Sequence, residues 1–266
     1  MFVFLTIFLI CITMTRAFFP KNSKNGTHTN LMNKPLNVNT ATMIEMIKVS
    51  KSYPPDVVAL RDISVSIGSG EMFFIIGMSG AGKTTLLKLL CSMELPSKGL
   101  IEIGGQSINS LKGFKLARLR QKIGVAYQDF KLLTDRTTAE NIAISMEVSY
   151  KKPQMIRNRV RNLLDQLNLA DKHDTITGEL SRGEQQRVAL ARAIANSPTM
   201  ILVDEPTGNL DSTTTEKVMQ LLTNCNKAGA TIVIATHDQS IYRNTSHRVM
   251  ELRKGQLHTL VRGTTA

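Results

Sequence analysis

Three short runs in the chain are apolar without a break: Met72-Phe73-Phe74-Ile75-Ile76, Met200-Ile201-Leu202-Val203 and Thr231-Ile232-Val233-Ile234-Ala235. Each has strand length, which predicts strands buried on both faces, as in a parallel sheet covered by helices. Amphipathic helices are expected ahead of the second and third. Other segments alternate instead. Residues 44–49 (IEMIKV) alternate with a period of two, like an edge strand. Pro54-Pro55-Asp56 marks a turn, and residues 57–67 alternate again. Gly68-Ser69-Gly70 then turns the chain into the first apolar run. Ile101-Glu102-Ile103, closed by Gly104-Gly105, reads as a strand and turn, and residues 123–127 as another short strand. From Phe130 to about Gly178 strand signals vanish, and helical periods appear over 139–144 and 155–169. This predicts a helical subdomain, about residues 129–178, inserted between strands. No segment repeats, so the chain has one such domain.

The first 42 residues follow another pattern. Residues 2–12 (FVFLTIFLICI) are almost wholly apolar. They are too short to span a bilayer, which takes about 20 residues, and fit the apolar region of a signal peptide, about 7–15 residues. A basic segment ahead of them is missing. Arg16-Ala17-Phe18-Phe19-Pro20 offers a small residue before a cut, giving a signal-like segment over 1–17. Residues 18–42, rich in Asn, Thr and Lys and without an acid, cannot build a core and read as transit-peptide-like or disordered. Net charge is +12, of which Arg16, Lys21, Lys24 and Lys34 place +4 ahead of the first acid, Glu45. The basic body suits nucleic acid, anionic lipid or solubility alone. It shows no Lys/Arg stripe with interleaved aromatics, so no nucleic acid is expected. Cys91 and Cys225 sit in apolar, helix-like surroundings without C-x-x-C spacing and read as buried reduced thiols.

The candidate chemistry starts where the first apolar run ends. Gly77-Met78-Ser79-Gly80-Ala81-Gly82-Lys83-Thr84 is a G-x-x-x-x-G-K-[ST] phosphate loop, followed by Thr85 and a helical run, Leu86-Leu87-Lys88-Leu89-Leu90. Glycines let backbone N–H groups face phosphate oxygens, and the helix start adds unpaired donors and partial positive charge. Lys83 is placed to reach the β- and γ-phosphates, and the Thr84 hydroxyl to ligate Mg²⁺. The second apolar run ends in Asp204-Glu205-Pro206. Asp204 is placed to hold Mg²⁺ or its water shell, and Glu205 to orient and deprotonate an attacking water. Leu180-Ser181-Arg182-Gly183-Glu184-Gln185-Gln186 opens a helix, with Ser181 and Glu184 spaced as a capping box. The same helix start is suited to a γ-phosphate.

That segment resembles the Leu-Ser-Gly-Gly-Gln signature of ABC ATPases and, as in them, stands shortly before the Asp204-Glu205 strand. Other landmarks follow the family order: Tyr53 for adenine stacking, Gln128 for the Q-loop, Gly208-Asn209-Leu210-Asp211 for the D-loop and His237 for the switch histidine. The resemblance covers roughly residues 43–260. It implies an α/β P-loop fold with a RecA-like parallel core, an antiparallel β subdomain and the helical insertion, in an ATPase domain over 43–262. It further implies a homodimer holding two ATP and Mg²⁺. Each site takes Lys83, Thr84, Gln128, Asp204, Glu205 and His237 from one subunit, with Thr84, Gln128 and Asp204 at the metal. Ser181, Arg182, Gly183 and Glu184 come from the other, and Asp211 sits at the dimer contact. Arg182 departs from the family's usual Gly. Residues 127–137 (YQDFKLLTDRT) with Glu140-Asn141 resemble the Q-loop region of FtsE, the cell-division branch, which implies an FtsX-like membrane partner docking at about residues 129–150. Lipoprotein-release and macrolide-export ATPases fit the other motifs equally, and a non-hydrolysing ATP-binding regulator stays open because of Arg182. The leader resembles bipartite plastid presequences, with Ala17-Phe18 as the junction, and implies a plastid location on the stromal face of a membrane. A membrane anchor or a misplaced start is the alternative.

Overall fold

The structure, a computed structural model, describes residues 41–259, which lie in one compact unit. The leader, residues 1–40, and the last seven residues are outside the described residues.

Two sheets build the fold, and both contribute to one of its two buried cores. The larger has six strands in the order β10-β9-β3-β8-β7-β6: β3 (Met72–Ile76), β6 (Ile123–Ala126), β7 (Met200–Asp204), β8 (Thr231–Thr236), β9 (Arg248–Arg253) and β10 (Gln256–Thr259). All pairings are parallel except the β9–β10 hairpin. The apolar runs are buried at every position because both faces are covered. Met72, Phe74, Ile76, Ile201, Val203, Ile232 and Ile234 face a core that includes the long helices. Phe73, Ile75, Met200, Leu202, Val233 and Ala235 face the second core. That core includes α1 (Lys83–Leu90) and the smaller antiparallel sheet, order β2-β1-β4-β5. Its strands are β1 (Thr42–Tyr53), β2 (Val57–Gly68), β4 (Lys98–Ile103) and β5 (Gln106–Ser107).

Two expectations need correction. β1 is not an edge strand; it pairs with β2 on one side and β4 on the other. Its alternation also breaks after Met46, where Lys48 turns to φ 49° and shifts the register before Val49. Ile47 is left 47% exposed while Val49 is buried. Elements unmarked by the sequence pattern also appear: α2 (Gly113–Arg120), whose first turn and outer face are exposed, and the β9–β10 hairpin, where charged and apolar residues interleave.

The segment between β6 and β7 is helical, with α3 (Thr138–Glu147), α4 (Pro153–Gln166) and α5 (Arg182–Ala195), and its extended backbone is limited to a bridge between Thr137 and Ile176. The expected periods at 139–144 and 155–169 fall on α3 and α4. α3 starts at a full capping box, Thr137 with Glu140. The next residue, Asn141, is fully buried and ties the helix to the loop before it. Its Oδ1 accepts from Leu133 N at 2.9 Å, and its Nδ2 donates to Leu133 O at 3.0 Å, Thr137 O at 3.0 Å and Thr177 Oγ1 at 3.2 Å. α6 (Ser212–Lys227) and α7 (Gln239–Tyr242) complete the fold. Among the described residues no helix is long and apolar enough to cross a membrane.

Candidate functional site

β3, β7 and β8 are neighbours in parallel, so their carboxyl ends deliver three sequence-distant segments to one place. β3 runs into the phosphate loop, β7 ends at Asp204-Glu205 and β8 ends at Thr236-His237. The loop must pass close beneath other backbone. A Cβ on Gly77 would lie 2.4 Å from Leu252 O of β9, and one on Gly82 would lie 2.6 Å from Ala59 O of β2. Gly80 and Gly82 take φ of 79° and 107°, which glycine adopts at no steric cost. Gly82 is also the N-cap of α1; it supplies no side-chain cap, and the first turn carries no acid. An N-terminus left in this state offers its N–H groups and positive dipole end to an anion. α3 and α5, by contrast, close theirs with capping boxes.

Lys83, Glu205 and His237 meet at one point, with Thr84 and Asp204 paired beside them. Lys83 Nζ, on a nearly buried side chain, donates to Gly77 O at 2.7 Å and lies 3.4 Å from Glu205 Oε1. His237 Nδ1 lies 2.8 Å from the same Oε1, within hydrogen-bond distance. Glu205 Oε2 accepts from Thr236 Oγ1 at 3.0 Å and from His237 N at 3.2 Å. Glu205 thus has three hydrogen-bond partners and one paired ammonium at its carboxylate, and it holds them at φ 52°, an unfavourable backbone for a non-glycine residue. Its own N–H donates to Ala235 O at 2.8 Å, and its carbonyl accepts from Gln186 Nε2 at 2.7 Å, which fixes that backbone. His237 is itself 69% exposed, so the imidazole reaches from solvent to a buried carboxylate.

Asp204 is the candidate metal ligand. Its Oδ2 accepts from Thr84 Oγ1 at 2.7 Å, while its Oδ1 is buried with no partner. Burial pushes the carboxyl above its usual range, the negative charges of Glu205 and Asp129 add to that, and the Thr84 hydrogen bond and Lys83 oppose it. A buried oxygen without a donor beside a hydroxyl is the environment of a divalent cation, and the pair fits Mg²⁺. Among the described residues no cluster of three or more His, Cys, Asp or Glu is present.

Other predicted residues stand apart. Tyr53 ends β1, with the Lys51 ammonium 4.9 Å above its ring, and lines a cavity of about 300 Å³ with Ser52, Pro54, Pro55, Asp56 and Val58, where the sequence places adenine. Met78, Ser79 and Gly80 form the exposed tip of the phosphate loop, with Ala81 behind them, and Thr85 follows in α1. Gln128 is exposed just past β6 and makes no hydrogen bond to the cluster. Ser181 and Arg182 are exposed. The capping box is present: Glu184 N donates to Ser181 Oγ at 3.3 Å and Ser181 N to Glu184 Oε2 at 2.8 Å, and a further bond from Ser181 Oγ to Glu184 Oε2 at 2.7 Å is the main reason Glu184 titrates low. Gly183 packs on the D-loop; a Cβ there would meet Asn209 O at 2.9 Å. Asp211, expected at a dimer contact, caps α6 by accepting from Thr214 N and Oγ1, both at 2.8 Å.

Sequence reasoning missed Thr236 and Gln186, which orient Glu205, and the bond from Thr207 Oγ1 to Asp238 Oδ2 at 2.8 Å that joins the two strand ends. Their only signal was position: one polar residue at the end of an apolar strand or one turn into a helix. Cys91 is buried as expected, whereas Cys225 is only half-buried; both are free thiols with pKa raised chiefly by burial.

Comparison with known proteins decides the family. The ABC transporter family model matches residues 60–208, from β2 to the segment after Glu205. The chain belongs to the ABC transporter ATPase family. It is 44% identical over 213 residues to the cell division ATP-binding protein FtsE of Bacillus subtilis, covering 80% of this chain and 93% of that one. It is 43% identical over 216 residues to FtsE of Escherichia coli strain K12, covering 81% and 97%. Among solved structures, the dimeric ATP-binding cassette MJ0796 in a post-hydrolysis state with ADP and Pi matches with a TM-score of 0.76 at 34% identity, over 81% of this chain and 96% of that one. This ABC protein is an ATP hydrolase, and its fold is the mixed one expected, with a parallel core, an antiparallel sheet and helices.

Proposed function

We propose that this ABC ATPase works as a head-to-tail homodimer that drives an FtsX-like membrane partner, as an FtsE-type subunit. The observation that carries the catalytic reading is the convergence of Lys83, Glu205 and His237 at one carboxylate oxygen beside Asp204 and Thr84. An arriving γ-phosphate competes with Glu205 for Lys83. The carboxylate so released keeps its His237 and Thr236 bonds, is held in place, and takes a proton from an attacking water. Mg²⁺, held by Thr84 and Asp204, would neutralise charge on the phosphates. The exposed Ser181 and the half-buried Gly183 beside it complete the partner subunit's site. Support for the homodimer comes from the dimeric cassettes, matched at TM-scores of 0.76 and 0.77. Support for the FtsE role comes from the relatives' identity across four-fifths of the chain. The leader's Ala17-Phe18 junction and acid-free segment support a plastid location.

The test is a membrane pull-down with the Glu205→Gln chain loaded with Mg-ATP, followed by mass spectrometry. A single permease with few spans is the expected catch. A many-span permease with a solute-binding protein overturns the FtsE-type role and leaves the ATPase chemistry standing.

A further inference from the structure

The proposed chemistry gives Arg182 no part, yet its side chain is engaged. Its guanidinium carbon lies 5.0 Å from the centroid of the Phe130 ring, within cation–π range. Phe130 is 3% exposed, whereas Arg182 stands at the surface. Phe130 and Lys131 both take left-handed backbone, φ 59° and 49°, which non-glycine residues keep only where their surroundings hold them. Arg192 is the second hold: it donates to Phe130 O at 2.7 Å and to Lys131 O at 2.8 Å. One helix, α5, therefore grips this turn twice, by its ring near the helix start and by its carbonyls further along. The turn directly follows Gln128, and the helix start directly carries Ser181 and Gly183.

We propose that Arg182 is a positioning residue that ties the Gln128 loop to the Ser181–Gly183 turn of the same subunit, so that nucleotide in one site sets how the signature is offered to the other. This rests on the dimeric ATPase reading above. Arg182 acts here through Phe130 and needs no contact with phosphate. A guanidinium acting on the partner's nucleotide would need no Phe130.

The experiment compares the full chain with Arg182→Ala, Arg182→Lys, Phe130→Leu and the Arg182→Ala/Phe130→Leu double variant. Amide hydrogen exchange at residues 129–131 is read without nucleotide, and the ATP dependence of hydrolysis is read with it. Each single removal is expected to raise exchange at that turn about two- to fivefold, the scale of one cation–π contact, and to bring the Hill coefficient toward one. The double variant should be no worse than either single, and Arg182→Lys should restore most of both readouts. If Phe130→Leu does not fold, Arg182→Ala against Arg182→Lys decides alone. Additive effects, or a changed KM with unchanged exchange and cooperativity, overturn the coupling and leave the ATPase intact. A wild-type chain without ATPase activity overturns both readings.

Discussion

Glu205 is the residue on which most of the site converges. Three hydrogen bonds and one ion pair reach its two oxygens, and its backbone is held in an unfavourable conformation. Glu205→Gln keeps the shape and loses the base. Hydrolysis is expected to fall by about 10²–10⁴-fold while Mg-ATP still binds, and size-exclusion chromatography should then show an ATP-dependent dimer. An unchanged rate removes Glu205 from the role of base. Asp204 carries a different expectation. Its raised pKa means that the folded, nucleotide-free chain holds this proton more tightly than the unfolded chain does. The group's contribution to stability is therefore full below the ordinary carboxylate range and is lost as pH rises through the raised folded value. A cation bound at the unpartnered Oδ1 would offset that loss at neutral pH. Thermal unfolding should show Mg-ATP stabilising the protein well beyond ATP with chelator, since a ligand adds stability with its affinity. Thr84→Val should narrow that gap. Equal stabilisation with and without the metal would remove Thr84 and Asp204 from the metal site.

Whether an element was legible in the sequence depended on how its burial was achieved. β3, β7 and β8 are buried on both faces, so their unbroken apolar runs announced them, and with them the three strand ends that bear the candidate site. β1 was misjudged because a bulge at Lys48 interrupts its alternation and a second neighbour covers its other edge. The β9–β10 hairpin was invisible because only Val249, Leu252 and Gly255 are buried there. The phosphate loop could be read because phosphate binding constrains the letters themselves, whereas Thr236 and Gln186 act through position alone. Asn141 shows the same limit. Its place in the sequence suggested a relative, but its role is a buried amide bonded on both sides to the loop ahead of α3. Asn141→Ala leaves those groups unpaired and should lower stability by about 2–4 kcal/mol, measured by urea unfolding. A loss below about 0.5 kcal/mol would mean that water replaces the amide.

At the scale of the molecule, the nucleotide loop is gripped between parts of the chain far apart in sequence. Leu252 O stands against Gly77, Ala59 O against Gly82, and Gly255 O accepts from Arg61 N at 2.8 Å, joining the terminal hairpin to β2. Gly77→Ala should therefore abolish tight ATP binding by forcing the loop off β9; near-normal affinity would show that the backbone can give way. The hairpin touches no phosphate, yet it forms the wall behind the loop. In a saturation screen scored by ATP binding, the damaging alleles should fall in two separate peaks, one at Gly77–Thr84 and one around Leu252 and Gly255. A gene that stopped a dozen codons after Thr236-His237 would keep every motif by which such a protein is recognised, yet it would lack Leu252 and Gly255, and its product should be blind to its nucleotide.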